Sequence, residues 1–165
     1  MCLINKTDVK KDFWLTFSLS MIGLVVGICI TKLSGVGITH ALKKMAFHEI
    51  FNHNAGVALL ILTIGALTFG VGGLVILFLN GVTMGIASGS LSLEQIILLL
   101  LPYTVFELLS FVCVALAGIA IAKNIREFRK GKKFSSLIND WPYVRLLLAV
   151  TFFLLAIAGF IEVYL

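Results

Sequence analysis

Charge is what this sequence has least of. Residues 55–93 contain no Asp, Glu, Lys, Arg or His, and over all 165 residues charged side chains make up 13% against 60% hydrophobic, with a net charge of +5. The mean hydropathy is +1.10. A soluble domain holds about 25% charged and about 45–50% apolar residues. A water-facing surface cannot be built from this composition, so the solvent for most of the chain is lipid. Proline is scarce too, with only Pro102 and Pro142 to interrupt long helices. The three cysteines, Cys2, Cys29 and Cys113, are an odd number without metal-type spacing. Two of them lie in apolar runs, where cysteine behaves as a small hydrophobe, and all three read as structural.

Signatures of chemistry are also missing. The chain has no nucleophile elbow, no zinc-protease His-Glu pattern and no phosphate-binding loop. His40, His48 and His53 are spaced by eight and five residues, not by the i, i+3 or i+4 that sets two ligands on adjacent turns. These features lead to the expectation of a non-enzymatic protein with no catalytic residue, no metal and no cofactor.

With about 20 residues needed per crossing, the chain can supply five or six membrane helices and no separate soluble domain. It reads as a single all-α polytopic membrane domain over residues 1–165, with spans at about 13–31, 55–69, 74–89, 93–122 and 144–165. The first run could pass for a signal sequence, but no small-residue cleavage site follows it, and a retained span is expected. Residues 37–54 are too polar to cross. His40, Lys43, Lys44, His48 and Asn52 recur at helical spacing, as do Ile38, Leu42, Met45, Ala46 and Ile50, which predicts an amphipathic helix lying in the outer interface. Phe134, Leu137, Ile138 and Trp141 recur at i, i+3, i+4 and i+7, predicting a second interfacial helix over 124–141. Gly70, Val71, Gly72 and Gly73 form a joint between the second and third runs, compatible with an antiparallel pair or with two half-helices entering from one side.

The few charges are placed unevenly. Lys6, Lys10 and Lys11 precede the first span, and Lys123, Arg126, Arg129, Lys130, Lys132, Lys133 and Arg145 cluster before the last. Only Lys32, Lys43 and Lys44 fall between the first and second. By the positive-inside rule the N-terminus and the 123–145 segment are cytoplasmic and the C-terminus is extracellular. Anionic lipid already accounts for the basic segment, so no nucleic-acid partner is expected.

Two groups of residues stand out. Gly81, Gly85 and Gly89 share a helical face at a spacing of four, and Gly23 with Gly27 makes a shorter version. Such rows let helix backbones approach closely, within this chain, in a homo-oligomer or against a partner subunit. Glu107 and Glu162 are carboxylates in apolar runs, where an ionisable group costs several kcal/mol (roughly 3) and is a functional-site hypothesis by default. Pro102 is expected to kink the fourth run about one turn before Glu107. Asn80, or a polar group on another span, is the expected clamp for Glu107, and Asn54 has the chemistry to cap the second span. Arg126 and Arg129, with the Phe134, Leu137, Ile138 and Trp141 stripe, form the candidate docking site for a cytoplasmic protein.

In order along the chain, Ile50-Phe51-Asn52-His53-Asn54 leading into Val57-Ala58-Leu59-Leu60, Asn80-Gly81 with Gly85, Leu101-Pro102 with Glu107, and the stretch from Ala156 to Glu162 resemble the stage II sporulation protein M family. The match covers residues 47–165. Tyr103-Thr104 stand where the family commonly has His-Gly, and His53 splits a typical Asn pair. The resemblance implies a multi-pass bacterial membrane protein acting as a subunit of a complex. In one setting that complex remodels peptidoglycan during spore engulfment. In the other, a short member joins a cytoplasmic ATPase in circular bacteriocin gene clusters, in maturation, export or self-protection. The short length favours the second and implies the lipid bilayer, an ATPase, other membrane subunits and a hydrophobic peptide as partners. The rivals are a scaffold for envelope remodelling and an intramembrane peptide-processing enzyme using Glu107.

The charge asymmetry makes the topology testable. In a cysteine-free background, Ser136→Cys is expected to be shielded from a membrane-impermeant thiol reagent and Ser92→Cys to be labelled from outside. The reverse pattern refutes the orientation.

Overall fold

The computed structural model describes residues 6–34, 46–89, 91–131 and 141–164. They are helical almost throughout: α1 (Lys6–Ser34), α2 (Phe47–Leu67), α3 (Val71–Gly89), α4 (Leu101–Arg129) and α5 (Trp141–Tyr164). All five are long and apolar enough to cross a membrane. Lipid offers no hydrogen bonds, so a backbone that satisfies its own N–H and C=O groups within each segment is the form this composition permits. The chain is a polytopic helical membrane protein.

The helices alternate in direction. Lys123 Nζ, near the end of α4, donates to Asp12 Oδ2 near the start of α1 at 2.6 Å. The Arg126 and Arg129 guanidiniums lie over the ring of Phe69 in the α2–α3 turn. The start of α1, the α2–α3 turn and the end of α4 therefore share one end of the bundle, which is basic. Val144 of α5 packs with Ala117 and Ala120 of α4, which brings the start of α5 to the same end.

α4 is the central helix. Buried residues occupy all of its faces, including Leu108, Ser110, Phe111 and Val112 and then every position from Val114 to Gly118. This explains its lack of amphipathic pattern, since a helix apolar all round is a core helix. Phe111, Val114 and Ala115 pack with Ala58 and Ile61 of α2, Leu77 of α3 and Leu155 of α5. Leu108, Val112 and Leu116 receive Phe13, Phe17, Met21 and Leu24 of α1.

α1 packs chiefly on α3, and the two run parallel. Gly23 lies against the backbone of Phe78 and Val82, Gly27 against Val82 and Gly85, and Gly89 against the Thr31 side chain. A Cβ at Gly85 would stand 2.9 Å from the Gly27 Cα, and one at Gly81 3.4 Å from the Gly23 Cα. The two glycine rows thus face each other inside one chain, and the Thr31 hydroxyl adds a 3.2 Å bond to the Ile86 carbonyl. Gly65 of α2, Gly73 of α3 and Gly118 of α4 make a second close approach.

Several boundaries differ from the sequence reading. Of the interfacial segment expected over 37–54, residues 47–54 are the first two turns of α2, continuous with the span, and 35–45 lie outside the described residues. Glu49 Oε2 accepts from the Ala46 N–H at 3.0 Å and closes that helix start. Asn54 is therefore not a cap; it stands inside α2. Of the cytoplasmic helix expected over 124–141, residues 124–129 continue α4 and Trp141 opens α5, while Phe134, Leu137 and Ile138 lie outside the described residues. At the glycine joint the turn is Thr68, Phe69 and Gly70, and α2 and α3 form an antiparallel pair of 21 and 19 residues. At about 1.5 Å per residue each is close to the full hydrocarbon thickness, not half of it. Before Pro102 the helix takes a π-type segment, Ile96–Leu100, in which the Leu101 N–H bonds the Ile96 carbonyl. The wider turn accommodates the missing proline N–H by a shift in hydrogen-bond register.

Gly85→Leu should destabilise the detergent-solubilised protein by about 3 kcal/mol through overpacking. Val75→Leu, on the exposed face of the same helix, should leave the melting midpoint unchanged. Equal midpoints for the two variants would dismiss the glycine contact.

Candidate functional site

Asn54 sits in the buried stripe of α2, in phase with Ile50, Ala58, Ile61 and Gly65. Glu107 belongs to the buried surface of α4 that faces it. The side chains meet: the Asn54 Nδ2 amide donates to Glu107 Oε1. Both residues are buried, at 6% and 8% of their free exposure, so neither polar group has water as an alternative partner. Each stands about two turns into its helix from the end opposite the basic one.

The surroundings on α4 and α5 are polar as well. Glu162 of α5 lies close enough for its charge to act on Glu107, and both carboxyls lie near Tyr103 of α4. The Ser110 hydroxyl donates to the Glu107 carbonyl at 2.6 Å. Thr151 Oγ1 of α5 donates to the Ser110 carbonyl at 3.3 Å. Thr104 is buried one turn before Glu107. The Ser110 and Thr151 hydroxyls thus both end on main-chain carbonyls of α4, and short polar side chains line the α4–α5 contact beyond Glu107.

The chemistry of the pair suits a group that changes charge. An amide N–H can donate to a carboxylate oxygen or to the carbonyl oxygen of a carboxylic acid. Asn54 therefore holds Glu107 in place with or without its proton. Among the described residues no group of three or more His, Cys, Asp or Glu could hold a metal ion.

Of the sequence-derived candidates, Asn54, Glu107 and Glu162 come together, with Pro102 beginning the turn that leads into them. Asn80 does not join them; its Nδ2 donates to Met84 Sδ at 3.5 Å on its own helix. Gly23, Gly27, Gly81, Gly85 and Gly89 form the α1–α3 contact away from this site. Arg126, Arg129 and Trp141 lie at the basic end, with Trp141 exposed. Ser110 and Thr151 carry no mark in the sequence reading, and Tyr103 and Thr104 enter it only as a departure from the family pattern, not as site residues. For Tyr103, Thr104 and Ser110 the available signal was their position within about one turn of Glu107.

The sequence profile described as "Stage II sporulation protein M" matches residues 16–165. The chain belongs to the stage II sporulation protein M family. The matched region contains the whole of the polar cluster and both glycine rows. An uncharacterized protein of Methanocaldococcus jannaschii is 29% identical over 169 residues, an alignment spanning 94% of this chain and 94% of the relative. No solved structure gives a match.

A double-mutant cycle tests the pair. Asn54→Leu and Glu107→Leu should each lower stability by about 1–3 kcal/mol, because each strands a buried polar partner. Combining them should recover most of that loss, since both polar groups are then gone. Strictly additive losses would mean that the two side chains do not depend on one another.

Proposed function

We propose that this chain is a non-enzymatic membrane subunit that handles a hydrophobic peptide at the bacterial cell membrane, together with further membrane subunits and a separate cytoplasmic ATPase. The peptide is of the circular bacteriocin kind, and the step is its maturation, its export or the protection of its producer. The observation that carries this reading is the buried Asn54–Glu107 pair with Glu162 beside it. Ionisable groups kept inside a membrane bundle mark paths and relays for ions, protons or charged cargo. Here the group lies between α2, α4 and α5 and keeps its hydrogen bond in either charge state.

The basic end faces the cytoplasm in this reading, as the positive-inside rule directs. The N-terminus is then inside, the C-terminus is outside, and the Glu107 cluster lies in the outer half of the bilayer. Energy comes from the partner, because the chain has no phosphate-binding loop of its own. Exposed Phe128 and Trp141 supply apolar anchors at that end, the kind of residue that concentrates binding energy at a protein interface.

Affinity purification from the native host in mild detergent tests this. A cytoplasmic ATPase is expected to co-purify, and Trp141→Ala should remove it while the chain remains inserted. Glu107→Gln, which keeps a hydrogen-bonding partner for Asn54, should insert normally and retain the ATPase but lose peptide export or self-protection. Absence of an ATPase from the unmodified complex overturns the reading. A co-purifying wall hydrolase would indicate an envelope-remodelling scaffold instead. Processing of a precursor peptide by the purified chain alone would make Glu107 catalytic.

A further inference from the structure

At the basic end two cations are set apart from their neighbours. Lys123 meets Asp12 at 2.6 Å and Lys130 meets Glu127 at 3.1 Å. Among the described residues no carboxylate meets Arg126 or Arg129. Their guanidinium carbons instead lie 5.5 and 5.8 Å from the centroid of one ring, that of Phe69.

The ring is held where it is by its turn. Phe69 has a φ of 56°, the left-handed conformation that a bulky residue rarely adopts. Gly70 follows with a φ of 97°, and its N–H bonds the Gly65 carbonyl at 2.7 Å. The Thr68 hydroxyl accepts from the Gly72 N–H at 2.7 Å, fixing the turn from its other side.

Two like charges three residues apart on one helix repel. The negative face of a ring offsets part of that, and among the described residues no acceptor meets the N–H donors of either guanidinium. The depth of the site points to what supplies one. α4 has 29 residues, about 43 Å at 1.5 Å per residue against a hydrocarbon core of about 30 Å. Its last turns therefore emerge at the level of the headgroups, where the abundant anion is a lipid phosphate.

We propose that Arg126 and Arg129, braced by Phe69, bind the phosphate of an anionic phospholipid headgroup. The planar guanidinium fork matches phosphate geometry, as an ammonium does not. The bound lipid would clasp the α2–α3 turn to the end of α4. Lipid binding here reassigns the two arginines from the protein docking site expected from the sequence, and the ATPase reading keeps its apolar anchor at Trp141.

The test is native mass spectrometry of the intact protein in detergent, titrated with phosphatidylglycerol, phosphatidylcholine or free glycerol phosphate. Phosphatidylglycerol should be retained in preference to phosphatidylcholine. Arg126→Gln combined with Arg129→Gln should weaken that retention about thirtyfold, as follows from about 1 kcal/mol for each of two basic groups. Arg126→Lys with Arg129→Lys keeps the charge but not the fork, and should retain phosphatidylglycerol less well than the unmodified chain. Lys10→Gln with Lys11→Gln removes the same charge from the same end and should have little effect. Because lipid is counted only on folded ions, a loss of yield does not imitate a loss of binding. Equal weakening by the arginine and the Lys10/Lys11 variants would show a diffuse field and overturn the site. Equal occupancy by free glycerol phosphate would overturn the lipid assignment. Unchanged lipid retention with loss of a co-purifying protein would make the arginines a protein contact.

Discussion

Lipid removes the force that gathers helices in water, because a leucine loses nothing by facing an acyl chain instead of another leucine. What remains is close contact, and this bundle depends on it. α1 is held to α3 where Gly23 and Gly27 meet Gly81 and Gly85, backbone against backbone. α2, α3 and α4 converge at Gly65, which Gly73 and Gly118 each face. Dispersion weakens steeply with separation, and the α1–α3 contact exists only where a side chain is absent, since a Cβ at Gly23, Gly27, Gly81 or Gly85 would run into the facing backbone. The glycines set how near the helices stand, and the larger core residues fill the space that this spacing leaves.

Within that frame the Asn54–Glu107 bond has a second consequence. α2 and α4 run parallel, joined near one end by this pair and near the other by Gly65 against Gly118. Two fixed points on parallel helices specify both their rotation and their vertical offset. The polar contact gives direction to an interface that apolar packing alone would leave free to slip. It also places the one deeply buried carboxyl of the described residues beside α5, whose Thr151 bonds across to Ser110.

The membrane class and the five crossings could be read from sequence, because a stretch as long as residues 55–93 without a charge has few other interpretations. The glycine spacing marked a contact face, though not which helix filled it. Reading failed where polarity was taken as a boundary. Asn52, His53 and Asn54 looked like the edge of the membrane, yet α2 begins at Phe47 and Asn54 keeps step with Ile50, Ala58 and Ile61. The same error in reverse shortened α4, whose basic last turn belongs to the spanning helix. The π-type segment at Ile96–Leu100 was illegible for a different reason: an all-apolar run has no phase, so a register shift within it leaves no trace in the pattern. The partner of Glu107 depended on which helices are neighbours, and local pattern does not contain that.

The pairing of α1 with α3 also imposes an order on biogenesis. α2 lies between them in the chain but does not fill the glycine groove of α1. From the emergence of Gly27 until Gly81 and Gly85 follow, about fifty residues must be made, which at about 5–20 residues per second is roughly 3–10 s. During that interval the first helix sits in the bilayer, or against the insertion machinery, with its closest-fitting surface vacant. The groove is complete only when the α2–α3 hairpin arrives as a unit, so the nascent chain passes through a stage in which its first span is inserted but unmatched.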